Sequence, residues 1–480
     1  MRLFRAMFIV CLLFPLAMEA QQGNNVWSLQ RCVQYAIGHN ISIKQDSLNA
    51  RLAKYTELQS RLAQLPAVNA SSSFGKSFGR SINPTTNQFV EGNYNSLTGS
   101  VTANAILFNG LQVRNSIARN RFTLQATLAE LDQLKDDISL NVANSFLIAL
   151  LAQEQINISL NQVNVTKAQL EQTRAFADAG RLPELNVAQL ESQLASDSAN
   201  LINSVSSYNS GILDLKALLN LDFAEPFTIE IPEAEVAGQL GVAELQPGEV
   251  YEKARMHFGS IKGSILRVKA AEKALAAGKG GLYPQLSLGY QLGTSFSSNS
   301  QTYTYKSNGY QSTGAYAVDS NNHPVYEIYQ PSYTTSGVQT PFNTQFDNNL
   351  RHYAYLSLNI PVFNGWQAQY NVRQAKINLA SQQLNEYDAE LKLKQNVYKA
   401  HSSAINSVHK YDAARRANDA ALRALDFAKK RYDLGLTSTV DLLVTQNSQF
   451  TAASNFVIAK YDLIFKLKVI DYYLGKEIKL

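Results

Sequence analysis

Residues that could support acid–base, nucleophilic or metal chemistry are few in this sequence, and their spacing does not favour such chemistry. The chain has six histidines in 480 residues, at positions 39, 257, 323, 352, 401 and 409. None stands with Cys, Asp or Glu at the spacing of a metal site. The segment GKGG at 278–281 lacks the Lys-Ser/Thr of a phosphate-binding loop, and no Ser, His and Asp set accompanies a nucleophile turn. We therefore predict no enzyme, no metal and no cofactor.

Cysteine content and charge exclude two further classes. Of two cysteines, Cys11 lies in an apolar N-terminal segment and Cys32 is alone in the mature chain, so no internal disulfide is predicted. The net charge of +5 is small for this length, and the basic residues are scattered. Nucleic-acid binding needs a concentrated basic face, so no nucleic-acid partner is expected.

The N-terminus resembles a secretory signal peptide. Arg2 and Arg5 precede the apolar run AMFIVCLLFPLAM, and the small residue Ala20 precedes QQGNN. This pattern predicts a signal peptide at 1–20 and export from the cytoplasm. A membrane anchor helix is the alternative, but the apolar run is too short to span a bilayer.

The sequence contains an internal duplication, seen as residue pairs that keep a fixed separation along the chain. The later part of each repeat keeps a separation of 255 residues, as in the pairs Phe108 and Phe363, Asp178 and Asp433, and Gly180 and Gly435. The earlier part keeps a separation of 218, as in His39 and His257, Ile43 and Ile261, and Lys44 and Lys262. The difference places a 37-residue insertion in the second repeat, between Pro284 and Phe363.

Each repeat has the same predicted order of elements: helix, strand, strand, very long helix, helix. In the first repeat (21–222) we predict a helix at about 28–64, strands at 67–80 and 94–108, and helices at 111–177 and 184–220. A linker at 223–246 follows. In the second repeat (247–480) we predict a helix at about 247–280, strands at 285–297 and 350–363, and helices at 366–432 and 438–474. The insertion lies in a long loop at 297–349, which we expect to be extracellular and solvated; binding a surface partner or folding over the pore are the alternatives.

The predicted strands alternate between an apolar face and an uncharged polar face. In QLSLGYQLGTSF at 285–296, the leucines alternate with Gln, Ser and Gly. Uncharged polar side chains suit a water-filled lumen, and about 11 residues suit a tilted transmembrane strand. A soluble sandwich with its apolar face inward is the alternative.

Four strands cannot close a membrane barrel, because single-chain barrels need about eight. An open edge of unpaired backbone groups is not tolerated in lipid. The strands therefore predict an obligate homo-oligomer, and the residues alone leave the number of copies open.

The long helices end at two short interruptions that we interpret as hairpin tips. The stretch 111–177 contains no Pro or Gly, and at 1.5 Å per residue it extends about 100 Å. In YDLGLTSTVDLL at 432–443, Gly435 suits the left-handed residue that ends a helix, and Ser438 with Asp441 forms a capping-box pattern. In ADAGRLPELNVA at 177–188, Gly180 ends the helix and Pro183 is placed in the next helix's first turn.

The duplicated plan, the Phe-Asn-Gly after the second strand and the tip sequence at 432–443 together resemble the TolC family of outer-membrane efflux channels. The resemblance implies an α+β membrane protein, internally duplicated. Four transmembrane β-strands per chain complete a trimeric β-barrel in the cell outer membrane. Long antiparallel coiled-coil helices form an α-barrel extending into the periplasm.

The resemblance also implies the function and the partners. The channel is the passive exit duct of a tripartite efflux or type I secretion system. A periplasmic adaptor (membrane fusion protein), coupled to an inner-membrane pump of RND or ABC type, opens the helix tips. The implied partners are two further copies of the chain, this adaptor, the pump through the adaptor, and outer-membrane lipid.

The family's tip residues are carried over to matching positions. Asp441 matches an acid that lines the constriction, and Tyr432 matches a tyrosine that holds the closed state. Asn186 stands where an acid is common, Thr437 where an arginine can sit, and Val444 in place of a second acid. These departures imply a gate without the usual ion-pair latch. A helix cap alone is the alternative role for Asp441.

The adaptor-docking surface is expected at both tips, because they keep the same register. Its residues are Gly180, Arg181, Leu182, Gly435, Leu436 and Thr437. Ordinary solvated turns are the alternative interpretation. For the whole chain, the alternative function is a coiled-coil structural or adhesive surface protein anchored by a small oligomeric β-barrel. The sequence leaves the cargo open.

Overall fold

The computed structural model describes residues 26–82, 87–231 and 246–476. The predicted signal peptide at 1–20 lies outside these residues, as does most of the predicted linker at 223–246. The described residues form two compact units. One contains residues up to 52, 125–266 and those from 383 onward; the other contains 53–124 and 267–382.

The helices and strands follow one another in two similar series. The first series is β1 (Val26–Trp27), α1 (Leu29–His39), α2 (Ile41–Leu62), β2 (Ala67–Ser77), β3 (Arg80–Ile82), β4 (Phe89–Glu91), β5 (Tyr94–Asn109), α3 (Gln112–Asp178), α4 (Glu184–Leu219) and β6 (Thr228–Ile229). The second is α5 (Pro247–His257), α6 (Gly259–Gly280), β7 (Gln285–Ser297), β8 (Gln301–Val318), β9 (Pro324–Gln339), α7 (Phe342–Asn348), β10 (Arg351–Asn359), α8 (Gln367–Asp433) and α9 (Thr439–Tyr473).

The duplication is visible in the helix lengths. Helices α1 and α5 have 11 residues each, α2 and α6 have 22 each, and α3 and α8 have 67 each. None of the helices in the described residues combines the length and the hydropathy needed to cross a membrane.

The first predicted helix of each repeat is broken into two, which the sequence did not predict. In the first repeat, the Asn40 side chain accepts the backbone N–H of Ser42 at 2.9 Å and donates to the carbonyl of Leu218 at 3.0 Å. In the second, the Gln133 side chain from α3 accepts the N–H of Gly259 at 3.0 Å. A side-chain acceptor satisfies donors that a helix start leaves free, so both breaks are stable.

The core of the helical unit is formed by α1, α3, α4 and α9. Its fully buried large side chains include Phe146, Leu150, Leu215, Leu219, Ile464 and Leu467. Gly211 of α4 lies against Ala149 of α3, and a Cβ on that glycine would be 3.4 Å from the Ala149 Cα. Each such side chain contributes about 1.5–3 kcal/mol when fully buried, so this cluster holds the helices together.

The sheet unit contains a four-stranded antiparallel sheet of order β10-β7-β5-β2. Leu288 of β7 pairs with Leu356 of β10 on one side and with Ala105 of β5 on the other. Leu356 and Leu358 are exposed at 63% and 61%. In the described residues, β2 and β10 are the outer strands, so the sheet has two open edges and an uncovered apolar face.

The Phe-Asn-Gly motif forms the same turn at the end of the sheet in both repeats. Gly110 and Leu111 have φ of 61° and 62°, and Gly365 and Trp366 have 63° and 68°. Two consecutive left-handed residues reverse the chain before the long helix, and glycine adopts this conformation without steric cost.

The asparagine of this motif caps the long helix. The Asn109 side-chain oxygen accepts the N–H of Val113, and that of Asn364 accepts the N–H of Ala368, each at 3.4 Å. The motif therefore follows the second sheet strand of each repeat and starts the long helix, which is α3 in the first repeat and α8 in the second.

The predicted loop at 297–349 is instead largely ordered into strands. It contains β8 and β9, which pair as an antiparallel hairpin, and the short helix α7. Alternating Tyr, Thr and Val favour a strand, but the many Ser, Asn and Gly residues concealed this pattern. Strand β10 ends at Asn359, short of the predicted 363, because Pro361 cannot donate to a ladder.

Candidate functional site

The second hairpin tip begins with a C-terminal cap on α8. Gly435 has a φ of 72°, and its N–H donates to the carbonyl of Tyr432 at 2.8 Å. The N–H of Leu436 donates to the carbonyl of Arg431, also at 2.8 Å. This pair of bonds is a Schellman motif, which stops the helix within one residue.

The first tip ends α3 in the same way. Gly180 has a φ of 69° and donates to the carbonyl of Ala177, while the N–H of Arg181 donates to the carbonyl of Phe176; both distances are 2.8 Å. A Cβ on Gly180 or Gly435 would meet nothing within 4 Å, so backbone conformation, not crowding, selects glycine here.

The two tips differ in how the next helix begins. Ser438 is the N-cap of α9, and its hydroxyl accepts the N–H of Asp441 at 3.1 Å. At the first tip, Pro183 occupies the N-cap position of α4 and makes no side-chain cap bond. The sequence analysis placed Pro183 inside the first helical turn, whereas the structure has it one position before the helix, at the N-cap.

Asp441 takes part in the cap of α9. The Ser438 hydroxyl donates to its carboxylate at 2.7 Å, and the side chain is exposed. Asp441 thus holds the third helical position, where a negative charge also interacts favourably with the helix N-terminus. This geometry is compatible with a capping role, with a constriction role, or with both.

Tyr432 joins three helices near the tips. Its hydroxyl lies 3.1 Å from that of Thr173 in α3 and 3.3 Å from that of Thr439 in α9. Thr173 is fully buried and Thr439 is 3% exposed. Tyr432 therefore connects the first hairpin with the second.

The other predicted gate residues lie around these tips with fewer contacts. Asn186 is half-buried in the first turn of α4, and its N–H donates to the carbonyl of Pro183 at 3.1 Å. Thr437 is half-buried, and Val444 is 60% exposed.

The predicted docking residues are mostly exposed. Leu436 is 63% exposed, Leu182 is half-buried, and the Arg181 guanidinium lies 4.5 Å from the centre of the Phe176 ring. Leu434 is 74% exposed beside Leu436, and the sequence reasoning did not include it. The sequence Leu-Gly-Leu at 434–436, with a leucine on each side of the helix-ending glycine, is a signal that could have identified it.

A set of uncharged hydrogen bonds links the first hairpin to α9, and the sequence reasoning missed it. The side-chain amides of Gln193 and Asn447 bond to each other twice, at 3.1 and 3.2 Å. Gln155 donates to Ser454 at 2.9 Å, and Gln446 donates to Thr166 at 3.2 Å. We call these bonds, together with Thr173–Tyr432, the polar ladder.

A buried carboxylate supports the polar ladder. Asp197 of α4 is 2% exposed and accepts from the Thr166 hydroxyl at 2.6 Å, from Gln193 at 2.8 Å and from Gln162 at 3.2 Å. Three donors satisfy the carboxylate in a place where an unpaired charge would be costly. Polar residues at core positions of a helix were the available signal.

Within the part of the chain that the structure describes, no group of three or more His, Cys, Asp or Glu side chains could hold a metal ion. The tips present exposed leucines, two capped turns and the exposed carboxylates of Asp178, Glu184, Asp433 and Asp441, which are groups suited to recognition.

Residues 32–221 and 250–475 match the sequence profile of the family described as outer membrane efflux protein. The chain belongs to this family, so the predicted membership among TolC-related channels is confirmed. The family consists of transport channels rather than enzymes.

Solved structures show the same fold. The outer-membrane channel OprN is 18% identical, with a TM-score of 0.69, over 94% of this chain and 90% of that one. The CmeC channel of Campylobacter jejuni is 16% identical, with a TM-score of 0.73, over 94% and 86%. The outer membrane protein VceC of Vibrio cholerae is 16% identical, with a TM-score of 0.72, over 94% and 97%.

Among curated proteins, no sequence matches this chain. The predicted fold class is confirmed: an internally duplicated α+β membrane protein with four sheet strands and long antiparallel helices in each chain.

Proposed function

We propose that this chain is the passive outer-membrane exit duct of a tripartite efflux or type I secretion system. Family membership gives the coarse function, an outer-membrane efflux channel. The finer function is an opening of the helix tips by a periplasmic adaptor coupled to an inner-membrane pump of RND or ABC type. The channel itself consumes no energy, because the pump drives transport.

The sheet supports assembly from several copies. Strands β2 and β10 offer open edges, and unpaired backbone groups are not tolerated in lipid. Pairing β2 of one copy with β10 of the next satisfies both edges. Three copies supply twelve strands, which is within the range of membrane barrels. The apolar face with Leu356 and Leu358 then contacts lipid.

We infer the location from family membership, which gives an outer-membrane channel. The strands lie in the outer membrane, and the helical hairpins extend into the periplasm, where an adaptor can reach the tips. Leu436 and Leu182 then form the centre of the docking surface, with Gly180, Gly435, Arg181 and Thr437 around them.

The gate is proposed at the same tips. Asp441 gives the constriction a negative charge, and Tyr432 stabilises the closed state by its bonds to Thr173 and Thr439. Asn186, Thr437 and Val444 complete the constriction as uncharged positions. The polar ladder takes the place of an ion-pair latch.

The observation that carries the docking proposal is the matching C-terminal cap at the two tips, together with the exposed leucine in the second. A rigid turn presents its side chains without further loss of conformational entropy, which favours binding. A structural or adhesive stalk has no requirement for two equivalent turns.

The test is photo-crosslinking in living cells. A photoreactive residue at Leu436 should capture a periplasmic adaptor, while the same residue at Leu422, exposed at 48% within α8, should not. Capture of the adaptor also identifies its pump and so the cargo class. If the Leu436 probe reaches only copies of this chain, docking at the tips is wrong and the stalk interpretation gains support.

A further inference from the structure

The hairpin of β8 and β9, called the outer hairpin and comprising residues 301–339, has no role in the proposed duct. Its strands have 18 and 16 residues, so the shorter one extends about 50 Å at roughly 3.3 Å per residue. All its side chains are exposed or half-buried. An isolated two-stranded hairpin is marginally stable in water, so a further surface is needed to cover part of it.

The outer hairpin has two unlike faces. Directly paired residues of antiparallel strands project to the same face, and the face alternates along each strand. Tyr303 pairs with Gly337, and a Cβ on that glycine would lie 3.0 Å from the Tyr303 ring. Pairing and alternation place six exposed tyrosines on this one face: Tyr303, Tyr305, Tyr310, Tyr316, Tyr329 and Tyr333.

We call this the tyrosine face. The opposite face carries mainly small or amide side chains, among them Thr302, Thr304, Gln311, Gln330, Ser332 and Thr334. It also carries Tyr326 and Val338, which are 73% and 63% exposed. Tyrosine provides a large contact area with little conformational entropy to lose. Six of the seven tyrosines of 301–339 therefore share one face, which makes it the better contact surface of the two.

Charge limits what the tyrosine face can bind. Apart from tyrosines, the ionisable residues of 301–339 are Lys306, Asp319, His323 and Glu327. Glu327 belongs to the tyrosine face, where the Ser312 hydroxyl and the Tyr329 hydroxyl donate to its carboxylate. With one acid already hydrogen-bonded and no basic cluster, the face does not favour phosphate-bearing lipids or a strongly charged partner. It suits an uncharged surface like itself.

The base of the outer hairpin is fixed to the sheet. Gln345 of α7 is 1% exposed; its side-chain oxygen accepts the N–H of Ser297 at 2.9 Å, and its amide donates to the carbonyl of Thr340 at 2.8 Å. The N–H of Thr340 donates to the carbonyl of Ser300 at 2.9 Å. Phe342 packs on Phe296 of β7, with ring centres 5.1 Å apart. The hairpin thus starts from one defined position on β7.

We propose that the tyrosine face packs against the outer hairpin of a second copy of this chain. This inference rests on the proposed assembly of copies through β2 and β10. Each neighbour then carries a hairpin rooted at the same height, and the link through the sheet raises the effective concentration of one hairpin near the next. Tyrosine-rich, charge-poor composition is typical of the buried part of an interface.

Cysteine cross-linking in intact cells tests the contact. In a Cys32→Ala background, treatment with a short bis-maleimide should link Tyr310→Cys into thioether dimers that survive reducing electrophoresis. Gln311→Cys is the matched control, because it is the adjacent residue on the opposite face. Tyr329→Cys against Gln330→Cys repeats the comparison on β9. We expect at least a fivefold difference within each pair.

A stability measurement tests the same contact between hairpins. Replacing the six tyrosines by serine should lower the temperature at which oligomers dissociate in detergent. Replacing Thr302, Thr304, Gln311, Gln330, Ser332 and Thr334 by alanine should leave it within error. A lowered temperature with both sets, or with neither, contradicts a specific contact through tyrosines.

The outcomes separate this inference from the function on which it rests. If oligomers form and transport proceeds but the tyrosine-face cysteines do not cross-link, the hairpin contact is wrong and the channel proposal stands. If no oligomer forms, the channel proposal fails first. Cross-linking of Tyr310→Cys to a different protein, or to none of the copies, also overturns the inference.

Discussion

The hydroxyl of Tyr432 lies 3.1 Å from the hydroxyl of Thr173, which ties the end of α8 to a fully buried position in α3. A second contact to Thr439 lies at 3.3 Å. The bonds involve no charge, so salt should weaken them little, unlike exposed ion pairs.

Tyr432→Phe should shift the gate toward its open state. Each lost hydrogen bond is worth about 0.5–1.5 kcal/mol, which corresponds to a shift of roughly two- to tenfold in the closed-to-open ratio. Single-channel conductance in planar bilayers is the measurement. Tyr387→Phe, at an exposed position of α8, is the control. Equal conductance in all three proteins would show that Tyr432 does not hold the gate.

Asp441→Asn should reduce the preference of the channel for cations and its block by multivalent cations. The charge is removed, while an amide of similar shape remains at the third helical position. Reversal potentials in asymmetric salt measure the effect. Ser438→Ala is the companion variant, because it removes the cap at a cost of about 0.5–2 kcal/mol but keeps the carboxylate.

The two variants give opposite patterns for the two roles of Asp441. If it lines the constriction, selectivity changes in Asp441→Asn and is retained in Ser438→Ala. Unchanged selectivity in Asp441→Asn would mean that Asp441 only caps the helix.

Leu436→Glu combined with Leu182→Glu should abolish recruitment of the adaptor. The change puts charge into a surface that we expect to be apolar and desolvated on binding. Co-purification of the adaptor from membranes should fall by at least tenfold, and oligomer assembly should remain normal. Leu422→Glu in α8 should have no effect; normal recruitment by the double variant would exclude the tips as the docking surface.

Gly110→Ala should be more harmful than Gly365→Ala, although the two glycines are equivalent in the repeats. Both have φ near 60°, so alanine costs about 1–2 kcal/mol at either site. At Gly110 the new Cβ would also clash with the carbonyl of Gly280 and lie 2.9 Å from the Tyr283 Cβ, whereas at Gly365 it meets nothing within 4 Å. Such overpacking adds about 1–3 kcal/mol.

The measurement for this pair is the yield and thermal dissociation of assembled oligomers. Equal loss in the two variants would mean that backbone strain alone determines the effect, and the close approach of Gly280 would be irrelevant.

Cys32 should be unreactive in the folded protein. It is fully buried, and burial raises the pKa of its thiol to about 12, so almost no thiolate exists near neutral pH. Maleimide labelling at pH 7.5 should be at least a hundredfold slower in the native oligomer than after unfolding in denaturant. Rapid native labelling would contradict the burial of α1 in the helical core.

Much of the fold could be predicted because it is encoded by local rules. The constant separations between repeats, the alternation in β7 and the glycine at each tip follow from strand periodicity and from the φ requirement of a helix end. Asn109 and Asn364 were recognised only as repeat landmarks, since their capping bonds reach a residue four positions on.

Other features depend on contacts between distant segments and were not predictable. The breaks at Asn40 and Phe258 differ in their caps, and the second cap comes from Gln133, 126 positions away. The polar ladder likewise joins residues such as Gln193 and Asn447, 254 positions apart. The periodicity of a sequence carries no information about which distant residues form such pairs. The outer hairpin was missed for a different reason: its tyrosines alternate with Thr and Val, but the many Ser, Asn and Gly residues conceal that alternation.

The closure of the outer hairpin at its base makes the segment 301–339 a self-contained cassette. The chain leaves and returns through neighbouring residues, Ser300 and Thr340, while Gln345 keeps its bonds to Ser297 outside the cassette. Evolution could therefore lengthen, replace or remove the insert without disturbing the sheet register. The same junction offers a position for inserting a foreign peptide while the sheet stays unchanged.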